Sequence, residues 1–211
     1  MNTYKMISKY ILSLMVGFFL AASLTVSADS MPVPQALVKN ASDEMLKALK
    51  DNKAELNQNP DKIYSLVEQI LMPYFDFEKM SKLALGKNWR QLDDDQRVKF
   101  VEEFRLLLIR TYSTAMLEYT NEEIRMLPFR DDLSRKRVTV PMEVVQPAGP
   151  PIPMSLALYE NDNNAWKVYD VKIDGVSLVT NYRSSFATQI RNKGVNNLIS
   201  DLADRNAKLK S

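Results

Sequence analysis

From Gln35 to Leu56 the apolar positions Val38, Ala41, Met45, Leu49 and Leu56 recur at helical spacing and predict an amphipathic helix. Asn57 to Pro60 breaks the pattern. A second helix carries Ile63, Leu66, Val67, Ile70 and Leu71 and ends near Pro73, where the backbone before a proline leaves the helical region. Asp76 is placed to cap a short third helix over Phe77–Leu85, and Gly86 to end it. Asp93 and Gln96 form a capping-box pair that opens the longest helix, running to about Tyr119. Its main stripe is Val101, Phe104, Leu108, Tyr112, Ala115 and Tyr119. Phe100, Leu107, Ile109 and Met116 widen that stripe, so other elements must cover the helix on several sides.

The period then drops from 3.6 to 2. Glu122 to Arg130 predicts a strand. Lys136 to Val145 alternates, with Val138, Val140, Met142 and Val144 on one face, and Pro141 suits an edge position or a bulge. Gln146 to Pro151 is a hairpin-type loop, after which Ile152, Met154, Leu156 and Leu158 share a face. Strands joined by short connections imply an antiparallel meander covered by helices on one face, an α+β fold with four strands or slightly more.

The segment Trp166 to Phe186 closes that sheet. Trp166 and Val168 share one face and Val171 and Ile173 the other, so the apolar register flips near Asp170, as a bulge would produce. After a turn at Asp174-Gly175, Leu178, Tyr182, Phe186 and Ile190 mark one face of a helix. Gly194 separates it from a last helix bearing Val195, Leu198, Ile199, Leu202 and Leu209.

The first 28 residues stand apart. Lys5 and Lys9 precede an apolar run from Tyr10 to Val26, and Val26-Ser27-Ala28 has the small-residue character of a cleavage site, so residues 1–28 read as a secretory signal peptide. No cysteine follows to carry a lipid anchor. The chain holds 28 basic and 26 acidic residues, and the two lysines of the leader account for the whole excess. A charge-balanced mature chain argues against nucleic acid, whose binding rests on phosphate neutralisation. It equally argues against a polybasic membrane surface.

The 211 residues contain no cysteine and no histidine. Disulfides, thiol nucleophiles, imidazole or thiolate metal sites and every Ser-His or Cys-His catalytic arrangement are thereby excluded. Five glycines, with no phosphate-cradling spacing among them, leave no nucleotide loop. Asp170 beside Tyr169 is a candidate acid–base pair for an enzyme of isomerase or dehydratase type, though an aspartate at a register flip also serves to bond neighbouring backbone. Arg130, Arg135, Lys136 and Arg137 alternate with Asp131 and Asp132 and read as a solvated hairpin end. The sheet's apolar face has two readings: ordinary core, as in a structural or adaptor protein whose stripes are solidly filled, or the wall of a ligand cavity. Eleven methionines, several in these stripes, suit a surface that adapts to flexible apolar chains.

Several motifs are similar to those of one known family. They are Phe75-Asp76-Phe77, Met80-Ser81, Ala84-Leu85-Gly86, Trp89-Arg90, Gln96-Arg97, Phe100, Phe104 and Thr111-Tyr112. Trp166 to Val171, Gly175 to Val179, Asn181-Tyr182-Arg183, Phe186 and Gly194 complete the set. Together they resemble the MlaC/toluene-tolerance auxiliary family over nearly the whole mature chain. Leu156-Ala157 departs from it, standing where the family often has Tyr-Arg, so a polar contact from that strand is not expected. The resemblance implies a soluble periplasmic phospholipid carrier that is not an enzyme. It would pass lipid between an outer-membrane lipoprotein–porin complex and an inner-membrane ABC transporter with an MCE-domain ring, maintaining outer-membrane lipid asymmetry. It implies an NTF2-like α+β cone over residues 29–211, with 60–92 contributing a helical subdomain, no cofactor or metal, and phospholipid as cargo. On that reading the acyl tails lie against Val101, Phe104, Leu108, Tyr112, Val140, Met142, Met154, Leu156, Leu158, Val168, Val171, Tyr182 and Phe186, with Arg183 nearest the head group. With every apolar stripe assigned to the interior, a monomer is expected.

Overall fold

The computed structural model describes residues 30–118 and 121–208, so the leader, Tyr119 and Leu209 lie outside the described residues. Three helices come first: α1 (Val33–Asp51), α2 (Lys53–Gln58) and α3 (Lys62–Ile70). The single helix expected over 35–56 is thus two. Its break is at Asn52, whose side-chain amide bonds back to the Ala48 carbonyl at 2.8 Å. An asparagine that offers the backbone a partner of its own competes with helix continuation, and the apolar stripe runs through the break without recording it.

Next come α4 (Phe77–Leu85) and the long α5 (Asp94–Met116). Both starts follow the expected caps. Asp76 accepts from Lys79 N at 2.8 Å. Asp93 accepts from Gln96 N at 2.8 Å while Gln96 Oε1 accepts from Asp93 N at 3.0 Å.

The sheet is five-stranded and antiparallel in sequence order: β1 (Glu123–Met126), β2 (Arg137–Val145), β3 (Ile152–Glu160), β4 (Trp166–Ile173) and β5 (Val176–Ser177). β1 is shorter than the 122–130 expected, and β5 is an addition. Ala157 pairs with Asp170 but Leu158 with Val168, so Tyr169 is the extra residue of a β-bulge. The register flip read from the sequence is this bulge. The turn between β4 and β5 places Asp174 at φ 50° and Gly175 at φ 78°. Left-handed backbone at both positions is the geometry a tight hairpin needs, and Asp-Gly supplies it at low strain.

Two helices finish the chain, α6 (Leu178–Lys193) and α7 (Val195–Lys208), separated by Gly194 at φ 82°. Seven α-helices and five strands among the described residues make an α+β fold, and none of those helices is long and apolar enough to cross a membrane.

Three apolar clusters hold these elements together. The first joins α4, α6 and α7 to the N-terminal half of α5, through Phe100, Phe104, Leu107, Phe186 and Leu198. Its aromatic rings meet edge to face, Phe100–Phe186 and Phe104–Phe186 each at 5.5 Å between centroids. The second is the inner face of the sheet with Val38 of α1 and Leu178 of α6. The third joins α1, α2 and α3 to Ile109 of α5. Polar ties cross between layers. Gln35 of α1 donates to the Leu127 carbonyl after β1 at 2.9 Å. Asp76 N donates to Val168 O at 2.9 Å, and the Tyr159 hydroxyl donates to the Asp76 carboxylate, fastening the start of α4 to the sheet.

Candidate functional site

The three clusters do not close on one another. Between them lies a cavity of about 550 Å³. Its walls are α1 (Leu37, Val38, Ala41, Met45, Leu46, Leu49), the connection between α3 and α4 (Leu71, Met72, Tyr74, Phe75), and the C-terminal half of α5 (Leu108, Ile109, Tyr112, Ser113, Ala115, Met116). The floor is sheet: Met142 and Val144 of β2, Ile152, Met154 and Leu156 of β3, Val168, Val171 and Ile173 of β4. Sealed and empty, a void of this size would cost on the order of 13 kcal/mol at ~24 cal/mol per Å³. That rivals the whole stability of an ordinary domain. A gap this large is therefore not a packing defect, and its volume falls within the ~300–1,000 Å³ typical of ligand sites.

The cavity has a buried end and an open end. Met80, Leu108, Leu156, Val168 and Leu178 are buried at one end. At the other, Ala115 and Glu118 are exposed and Glu122, Ile124, Val144, Gln146 and Ile152 are half-buried. Glu123 pairs with Val145, so Glu122 and Gln146 face one another at the end of the β1–β2 ladder. Polar lining is sparse. Tyr112 shares a hydrogen bond with Tyr182, and burial first, then Tyr182, push its hydroxyl up to about 12. Ser113 is 1% exposed and among the described residues its hydroxyl has no partner. Among the described residues, no lysine or arginine lines the cavity.

Of the residues expected to meet a ligand, Leu108, Tyr112, Met142, Met154, Leu156, Val168 and Val171 line this cavity together. Phe104, Tyr182 and Phe186 do not: they interlock in the aromatic core of α5 and α6, on the α5 half away from the cavity. Val101 on that same half is half-buried and off the lining. Val140 and Leu158 point inward but are fully buried, each 0% exposed, in the half of the sheet that is packed solid with Val138 and Trp166. Strand alternation identifies the inner face, and only what lies across from each row decides whether it meets core or space.

Arg183 is also elsewhere. Its Nε donates to the Leu83 carbonyl at the end of α4 at 2.7 Å, so it serves that helix terminus. Asp170 accepts from the Ser177 hydroxyl at 2.6 Å and from Val179 N at 3.2 Å, securing the start of α6. Tyr169 packs edge-on to Tyr159. Neither lines the cavity, and among the described residues no cluster of carboxylates able to hold a metal ion forms. The sequence reading omitted the walls from α1 and from Leu71 to Phe77. The α1 stripe was legible, and Leu37 and Leu46 beside it widen it beyond a single seam.

A model of the MlaC protein family matches residues 39–204. The chain is 32% identical to the toluene tolerance protein ttg2D of Pseudomonas putida over 172 residues, 81% of this chain and 78% of that protein. The chain belongs to the MlaC family. It is also 24% identical over 194 residues to the intermembrane phospholipid transport system binding protein MlaC of Haemophilus influenzae, covering 91% and 89% of the two chains. Among solved structures it resembles a phospholipid-binding protein from Ralstonia solanacearum, determined in complex with a phospholipid. The TM-score is 0.78 at 33% identity, over 84% of this chain and 98% of that one. The five-stranded sheet and its helices are thus an MlaC-type fold.

Proposed function

We propose that this protein is a periplasmic phospholipid carrier that moves lipid between outer and inner membranes by burying the acyl tails in its cavity, with no chemical step. The observation that carries this reading is an apolar space of about 550 Å³ in a fold shared with a protein solved with bound phospholipid. Exposing two ~16-carbon tails to water costs on the order of 24 kcal/mol at ~0.8 kcal/mol per methylene, which makes unaided passage across an aqueous gap negligibly slow. A carrier must enclose the tails and hold the head group weakly enough to let it go. The buried end of the cavity meets the first need and its sparse, open rim the second.

On this reading residues 1–28 are a leader that directs export, and residues 60–92 act as a helical subdomain closing one wall. The protein works as a monomer and takes phospholipid as cargo in place of any cofactor. It exchanges that cargo with an outer-membrane lipoprotein–porin complex and an inner-membrane MCE-domain ABC transporter, and so preserves outer-membrane lipid asymmetry.

Leu156→Asp tests the tail site. Leu156 is 9% exposed on the cavity floor. A carboxylate there can draw water from the cavity for its solvation while deterring the tails. The expected variant folds and no longer retains phospholipid, and its thermal transition stays near that of lipid-free wild type, bound lipid itself being stabilising. If instead it unfolds, the position is close-packed core, where desolvation and lost packing each cost several kcal/mol.

A further inference from the structure

We infer that methionine side chains make the cavity indifferent to the length and kinks of the acyl chains it takes, so that one carrier serves a mixed membrane. The inference rests on the tail-burial reading and concerns which tails that reading admits. Among the described residues there are eight methionines, and six of them line the cavity. They are Met45 of α1, Met72 of the α3–α4 connection, Met80 of α4, Met116 of α5, Met142 of β2 and Met154 of β3. Within that set no element supplies two, so methionine is distributed around the wall instead of gathered on one side. Among the same described residues, the aromatic cluster around Phe100, Phe104 and Phe186 has Met80 as its one methionine, at its border with the cavity.

The residue type decides what such a wall can do. Methionine is unbranched, with three rotatable bonds and a polarizable thioether, and it fills irregular gaps. Side chains branched at Cβ are stiff at χ1 and hold one shape. β4 gives the cavity only the β-branched Val168, Val171 and Ile173, a fixed surface against which a tail can lie. The methionines stand on the other walls. Met72, Met116 and Met154 are half-buried beside the open space, with room to change rotamer. A cis double bond displaces the chain beyond it sideways, and extra methylenes lengthen it. A rigid apolar pocket registers even one methylene as about tenfold or more in selectivity. A gap beside a poorly fitting chain forfeits the contacts of its lining, and a methionine that swings inward restores them.

The experiment offers delipidated protein mixed vesicles of dimyristoyl, dipalmitoyl and dioleoyl phosphatidylglycerol in equal parts, and reads the bound species by mass spectrometry at equilibrium. All three share a head group and leave the same bilayer, so their ratio reports the fit to the cavity. Wild type should take them within about threefold of one another, where a rigid pocket would separate them by about tenfold or more. Met72→Leu with Met116→Leu and Met154→Leu conserves volume and apolarity while shortening and stiffening the side chains. It should spread the three lipids by on the order of tenfold and still load the best-fitting one as fully as wild type. Protein made with norleucine in place of methionine keeps the flexible unbranched chain without sulfur, and should match wild type. A strong preference in wild type, an unchanged pattern in the triple leucine variant, or a norleucine protein that discriminates as that variant does overturns the role of the methionines while leaving tail burial intact. Uptake of none of the three by wild type overturns the tail-burial reading, and this inference with it.

Discussion

Single residues divide the interior into what holds the fold and what holds the cargo. Phe104 and Leu108 lie one turn apart on α5, yet Phe104 closes an aromatic core and Leu108 faces the cavity. Two tyrosines carry a pH signature. Burial raises Tyr112 to about 12, and the hydrogen bond to Asp76 does the same for Tyr159. In the unfolded chain both ionise near 10. Between pH 10 and 12 the folded state therefore binds more protons than the unfolded state, and stability falls as pH rises. It is fully present below pH 10. Thermal unfolding should show a steepening loss through that window, and Tyr159→Phe should remove part of the slope. A transition indifferent to pH from 10 to 12 would mean these hydroxyls are not held as described.

Elements were legible in the sequence wherever a cap, a period or a turn states its own geometry. Asp93 with Gln96, Asp76, the alternation of β2 and β3, and the bulge at Tyr169 all fall into this class. The candidate site was legible only in part. Leu156 and Leu158 alternate identically in sequence, and one meets space while the other meets solid packing, because long-range docking of α1 and the α3–α4 connection decides it. Arg183 offered a cation but no sign that a helix terminus a hundred residues away claims it. α1 contributes the largest single wall, and its polar tie to the sheet side is the Gln35 amide on the Leu127 carbonyl. Gln35→Ala strands that acceptor and should cost about 1–3 kcal/mol. Amide hydrogen exchange should quicken in α1 first, and bound phospholipid should suppress the effect. Uniform destabilisation with α1 unchanged would assign the tie no local role.

Among the described residues, α5 carries a solid aromatic core along one half and an apolar hollow along the other. The two regions share one long helix, so the packed half can hold the fold while the other half is filled and emptied. The account requires that the hollow hold phospholipid in the protein as it is made. Native mass spectrometry of the purified protein, followed by solvent extraction, measures this directly. The predicted result is a monomer carrying phospholipid in stoichiometric amount, with lipid-free protein recovered on extraction. A protein that is lipid-free as isolated, takes up none from vesicles and is fully stable would contradict it.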